Sequence, residues 1–151
     1  MIENIEKNLL NDYKVIINFP LVWGEMDTFN HINNVNYIRY FESSRIKYFE
    51  LIDYFKLIEE KNIGPILASI SCKYKAPLKY PDIIYVGSKI YKMSNDRFWM
   101  KYAIASKKLC TITTEGDSVL VSYDYNSNKK IDLPESIRLK IMEIDKNIEI
   151  I

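Results

Sequence analysis

Residues 23–52 read WGEMDTFNHINNVNYIRYFESSRIKYFELI, and the second half of this stretch sets the fold. From Asn34 to about Ile58 there is neither Gly nor Pro, and polar residues return at Asn36, Arg39, Ser43, Lys47 and Glu50, the spacing of one helical face. Val35, Tyr37, Ile38, Tyr40, Phe41, Ile46, Tyr48, Phe49, Leu51 and Ile52 fill the rest, so apolar side chains cover more than half of the circumference. A helix this apolar has to be enclosed by other structure. Asn33 or Asn34 is expected to cap its start, because a short side-chain oxygen accepts from the unpaired amides of the first turn.

Outside this helix the period changes to two. Val15–Val22 reads as a short strand before the loop, and Ile66–Tyr74, Ile83–Met93, Arg97–Ser106 and Cys110–Tyr125 read as strands rich in Ile, Val, Tyr and Thr,. Pro77/Pro81, Ser94-Asn95-Asp96 and Lys107-Lys108 separate them, which predicts a meander. Gly116 is expected to mark a β-bulge in one long last strand. Asp132-Leu133-Pro134-Glu135 opens a C-terminal helix in the pattern of an N-cap followed by Pro at the first helical position,. A strand, a long apolar helix and then four strands with short connections make an α+β fold, a curved antiparallel sheet wrapped around the helix. The edges of such a sheet favour pairing with a second copy.

Composition narrows the possible functions. The 151 residues are 48% hydrophobic and 27% charged, values of one globular domain with no linker, repeat or low-complexity tract. Net charge is +1, from 21 basic and 20 acidic residues, so no nucleic-acid footprint is expected. The two cysteines, Cys72 and Cys110, form neither a disulfide framework nor a zinc knuckle. Met1 to Leu10 lacks the apolar core of a secretory signal, and no stretch reaches the roughly 20 apolar residues of a membrane span. A cytoplasmic protein without a membrane span is the expectation.

The chemistry is expected between Trp23 and Glu50, where two acids, Glu25 and Asp27, the only histidine, His31, and a helix start at Asn33-Asn34 fall close together. Unpaired amides at a helix start suit the oxygen of a polarised carbonyl, and a carboxylate just before them can attack that carbonyl or activate water. Against this stand ordinary roles: a loop acid usually shapes a turn, and a loop histidine usually bonds to the backbone. One histidine supplies too few ligands for zinc, so no metal is expected. Glu42 and Arg45, three residues apart, read as a helix ion pair.

The run Trp23-Gly-Glu-Met-Asp27-Thr-Phe-Asn-His31-Ile-Asn-Asn34-Val-Asn-Tyr37, continued by Phe41-Glu42 and Arg45, resembles the signature of the 4-hydroxybenzoyl-CoA thioesterase-like branch of the hotdog superfamily. Tyr74-Lys-Ala-Pro77-Leu-Lys-Tyr-Pro-Asp82 and Leu133-Pro134-Glu135 resemble two further family turns, so the likeness runs from about Val15 to Leu139. It implies a single hotdog domain over residues 1–151 that hydrolyses acyl-CoA or acyl carrier protein thioesters without a bound cofactor. It implies Asp27 as catalytic nucleophile or general base, His31 beside it, and the Asn34 amide as oxyanion donor. Asn33, Val35, Tyr37, Lys75 and Pro77 are then the substrate-binding positions. A homodimer or homotetramer is implied, with the acyl chain in a groove between subunits. Glu25, Pro81 and Arg97 depart from the family's usual Asp, Gly and Ser. Lys73, Lys75 and Lys79 could meet CoA phosphates by charge. Two other functions fit the same residues: a hydratase or dehydratase of enoyl or 3-hydroxyacyl thioesters using Asp27 and His31, and a non-catalytic acyl-thioester binder.

Overall fold

The computed structural model of the chain describes residues 4–151. The first three residues of the expected 1–151 domain, and of the N-terminal stretch read as lacking a secretory core, lie outside the described residues. In chain order the elements are α1 (Ile5–Leu9), β1 (Val15–Pro20), a 3₁₀ turn (Trp23–Glu25), α2 (Val35–Leu51), α3 (Tyr54–Lys61), β2 (Ile63–Tyr74), β3 (Ile83–Met93), β4 (Arg97–Ser106), β5 (Thr111–Asp124), β6 (Lys129–Lys130), α4 (Glu135–Ile144) and β7 (Glu149–Ile150). None of these helices is long and apolar enough to cross a membrane.

The sheet runs in the order β1-β3-β4-β5-β2, antiparallel throughout this path. Only β3, β4 and β5 form the expected meander. Strand β2 pairs with β5 instead of β3, with Tyr74 opposite Thr114 and Cys72 opposite Gly116, which makes it a twelve-residue edge strand. Side chains alternate between the faces. Ile84, Val86, Tyr102 and Ile104 turn inward against Tyr37, Tyr40, Phe41, Tyr48 and Phe49 of α2. Ala103 and Ala105 turn outward, where Ile5 and Leu10 of the α1 segment cover them. Tyr13 lies on the same outer face, over Gly87, where a β-carbon would stand 2.7 Å from its ring.

The expected helix to Ile58 is interrupted. Asp53 adopts φ 57°, ψ 31°, a left-handed step that ends α2 and redirects the chain into α3. The helical period hides this break, because Ile52 and Tyr54 are both fully buried and continue the apolar pattern on either side. Enclosure of α2 is also incomplete: Val35 is 67% and Ile46 41% exposed, so one flank of the helix stays open to solvent.

Gly116 lies within one continuous strand, as expected, but it carries no bulge. Its pairings with Tyr102 and Cys72 stay in register, and the irregularities fall between Ile104 and Ala105 and between Leu67 and Ser69. Glycine is needed there because a β-carbon would collide with the Phe41 ring, 2.7 Å from Cζ. At the C-terminal helix Pro134 itself takes the N-cap position, with φ −56° and ψ 138° and no side-chain cap. Asp132 therefore does not cap α4. Further on, Asp145 ends that helix and accepts from the Tyr48 hydroxyl at 2.5 Å and the Ile90 amide at 2.9 Å, tying α4 to α2 and β3.

Candidate active site

The loop before α2 is held by main-chain bonds. The Asp27 amide donates to the His31 carbonyl at 2.8 Å, the Asn30 amide returns to the Asp27 carbonyl at 3.0 Å, and the Asn33 amide reaches the Glu25 carbonyl at 2.8 Å. Asn30 takes a left-handed φ of 61°, which asparagine tolerates better than most residues. The Ile32 amide donates to the Leu78 carbonyl at 2.8 Å and thereby fixes this loop to the segment between β2 and β3.

Within this frame the Asp27 carboxylate accepts one bond, from the Phe29 amide to Oδ1 at 2.9 Å. Among the described residues Oδ2 has no donor. Glu25 has a different role: its carboxylate accepts from the Tyr40 hydroxyl at 3.0 Å, so it braces the loop against the helix. Burial and the Glu25 carboxylate push the Tyr40 hydroxyl well above its ordinary range, so it remains a proton donor at neutral pH.

The start of α2 is capped by Asn33, whose Oδ1 accepts from the Val35 amide at 3.1 Å; Asn34 makes no side-chain cap. The cap occupies the Val35 amide, whereas the Asn34 amide donates to no group among the described residues. The Asn34 carbonyl accepts from the Tyr74 hydroxyl at 3.2 Å. Tyr74 meets Tyr37 edge to face with ring centroids 4.9 Å apart, and the Tyr37 hydroxyl accepts from the Leu78 amide at 3.1 Å. Burial and the neighbouring Cys72 push the Tyr74 hydroxyl up to about 12. Burial also raises the Cys72 thiol, keeping it protonated and a poor nucleophile.

A cavity of about 310 Å³ is lined by Asp27, His31, Ile32, Asn34, Tyr37, Tyr74, Lys75, Ala76 and Pro77. Six residues singled out from the sequence thus meet there: Asp27, His31, Asn34, Tyr37, Lys75 and Pro77. Asn33 and Val35 do not line the cavity: the first caps the helix and the second is exposed on the open flank. Lys75 is paired with Glu115 at 2.7 Å, so part of its charge is already answered. Ile32, Tyr74 and Ala76 were not assigned a site role from the sequence. Tyr74 arrives from a strand 40 positions beyond the helix start, and spacing along the chain carries no signal of that approach. The arrangement offers a carboxylate with one free oxygen and a free amide lining one cavity of mixed polarity, the two kinds of group that attack on a carbonyl requires.

The family model described as "Thioesterase-like superfamily" matches residues 21–141. The curated protein "Long-chain acyl-CoA thioesterase FadM" of Escherichia coli (strain K12) is 21% identical over 121 residues, covering 80% of this chain and 92% of that protein. Two solved structures share the fold. A Staphylococcus aureus protein, SAV2348, in complex with CoA aligns with TM-score 0.82 and 17% identity over 91% of this chain and 87% of its own. A Thermus thermophilus thioesterase complexed with coenzyme A and Zn aligns with TM-score 0.79 and 23% identity over 89% of this chain and 96% of its own.

Proposed function

The chain belongs to the thioesterase-like superfamily, with a hotdog fold, and from that premise we propose that it hydrolyses acyl-CoA thioesters to free acid and thiol. The carrying observation is the pairing in one cavity of the open Asp27 carboxylate with the unengaged Asn34 amide. In this reading the thioester carbon sits between them. The carbonyl oxygen takes the Asn34 N–H, and negative charge developing on it is stabilised by that fixed donor and the start of α2. Asp27 attacks the carbon or deprotonates the attacking water. Expulsion of the thiolate and its protonation complete the cleavage on the water route; on the nucleophilic route they leave a mixed anhydride with Asp27, which water then hydrolyses to the free acid and the regenerated carboxylate. Neither route calls on a metal or cofactor.

The acyl carrier is CoA or an acyl carrier protein, and the relatives' names favour CoA. We further propose a homodimer through the free edge of β2, where unpaired backbone groups accompany Ile66 and Leu67, 39% and 41% exposed,. Trp23 and Phe29, 70% and 79% exposed on the loop before α2, are further apolar surface that a second copy would cover in closing the acyl groove between two subunits. Both cysteines are free thiols, suited to the reducing cytoplasm.

The test is thiol release from a panel of acyl-CoAs and acyl carrier protein thioesters, with enoyl formation followed separately. Thiol release that disappears in Asp27→Asn supports the proposal. Enoyl formation dependent on His31 would favour a hydratase, and binding without turnover would favour a silent acyl-thioester binder.

A further inference from the structure

Inward from the cavity, the buried face of α2 and the inner face of the sheet meet in successive tiers. Tyr37, Phe41 and Arg45 are four residues apart, so they lie along one side of the helix. Tyr74, Cys72 and Ile70 of β2 run beside Thr114, Gly116 and Ser118 of β5 in register, two residues per step on one face. Helix and strands advance together by ~6 Å per tier on the helix and ~6.6 Å on the strands.

The first tier is Tyr37 against Tyr74, at the cavity and half open to solvent. The second is closed. The Phe41 ring fills the space left by the missing side chain of Gly116 and stacks on Tyr102 at 4.9 Å with planes 17° apart; Phe41 has no exposed surface. The third tier is polar. Arg45 donates to the Tyr102 hydroxyl at 3.1 Å, that hydroxyl and Ser118 Oγ lie 2.6 Å apart, and Arg45 is 7% exposed. A chain entering at the cavity meets an aromatic plug, and behind it groups whose hydrogen bonds an alkyl tail would have to break without replacing them.

Resting on the thioesterase reading above, we propose that Phe41, seated on Gly116, closes this subunit's wall of the acyl groove and restricts the enzyme to thioesters of short acyl groups. One tier of ~6 Å holds about four or five carbons in a zigzag of ~1.5 Å bonds. The limit therefore falls at about six carbons, counting the carbonyl.

The experiment is a chain-length series of straight acyl-CoAs from four to sixteen carbons on the full chain, with wild type, Phe41→Ala and the milder Phe41→Leu. Binding of the matching non-hydrolysable S-alkyl-CoA thioethers is measured by calorimetry. The expected result is a wild-type kcat/KM at least tenfold lower for twelve carbons than for four, with the optimum moving to longer chains in whichever Phe41 variant folds. Thioether affinity should shift in the same direction. Equal wild-type use of four and sixteen carbons, or an unchanged length profile in the variants, overturns the proposal. If no thioester is cleaved at all, the thioesterase reading fails, and the thioether series still decides the length limit.

Discussion

The ring of Phe41 occupies the place where a side chain on residue 116 would begin, so the central helix rests directly on the backbone of β5 at this point. Adding one methyl there forces the ring or the strand to move. Gly116→Ala is therefore expected to cost about 1–3 kcal/mol, the usual range for overpacking, read as a lower urea midpoint. In a Phe41→Leu background the same change should cost much less, because the two sites share one space. Additive costs in that double-mutant cycle would separate them.

The two acids of the loop are expected to behave differently. Asp27→Asn should lower kcat at least about a hundredfold, the scale of a lost catalytic base or nucleophile, with unchanged circular dichroism. Glu25→Gln keeps an acceptor for the Tyr40 hydroxyl and should leave kcat within a few-fold of wild type. A collapse of kcat in the Glu25 variant alone would move the catalytic role to that residue.

Tyr74→Phe keeps the ring against Tyr37 and removes only the bond to the Asn34 carbonyl. One such bond contributes about 0.5–1.5 kcal/mol of stability, so Tm should fall by roughly 1–6 °C, and kcat should fall a few-fold while KM changes little. A loss confined to KM would place the hydroxyl in substrate binding instead.

Asp145 gives a pH signature. Its burial raises the carboxyl above its ordinary range, and the Tyr48 and Ile90 bonds offset this only in part. The unfolded chain therefore loses this proton at lower pH than the folded one. Its contribution is fully present below the unfolded value and is lost as pH rises through the folded one. Comparing urea midpoints across acidic to neutral pH, Asp145→Asn should remove a downward step with rising pH. Parallel curves for variant and wild type would show that Asp145 titrates alike in both states.

How much of this was legible in the sequence depends on how local the cause is. The strands Ile83–Met93 and Arg97–Ser106 stand where alternation and the Ser94-Asn95-Asp96 turn place them, and the loop bearing Asp27, His31 and Asn34 converges on one cavity. Non-local causes were hidden. The pairing of β2 with β5 depends on contacts between residues far apart in the chain, which no turn between them encodes. The break at Asp53 is one left-handed residue inside an uninterrupted helical pattern. Gly116 looked like a bulge because glycine in a strand often marks one, and its real cause, the ring of Phe41, lies in another element. Tyr74 reached the site by the same route.

The two faces of the sheet are covered unequally within one polypeptide. The central helix lines one, and on the other the leading segment spreads Ile5, Leu10 and Tyr13 over the small residues Ala103, Ala105 and Gly87. Back-to-back stacking of two such sheets over Ala103, Ala105 and Gly87 would first have to peel that strap away. Trimming the leader is, by the same logic, a way to bare a sticky alanine-floored surface without touching a single residue of the pocket.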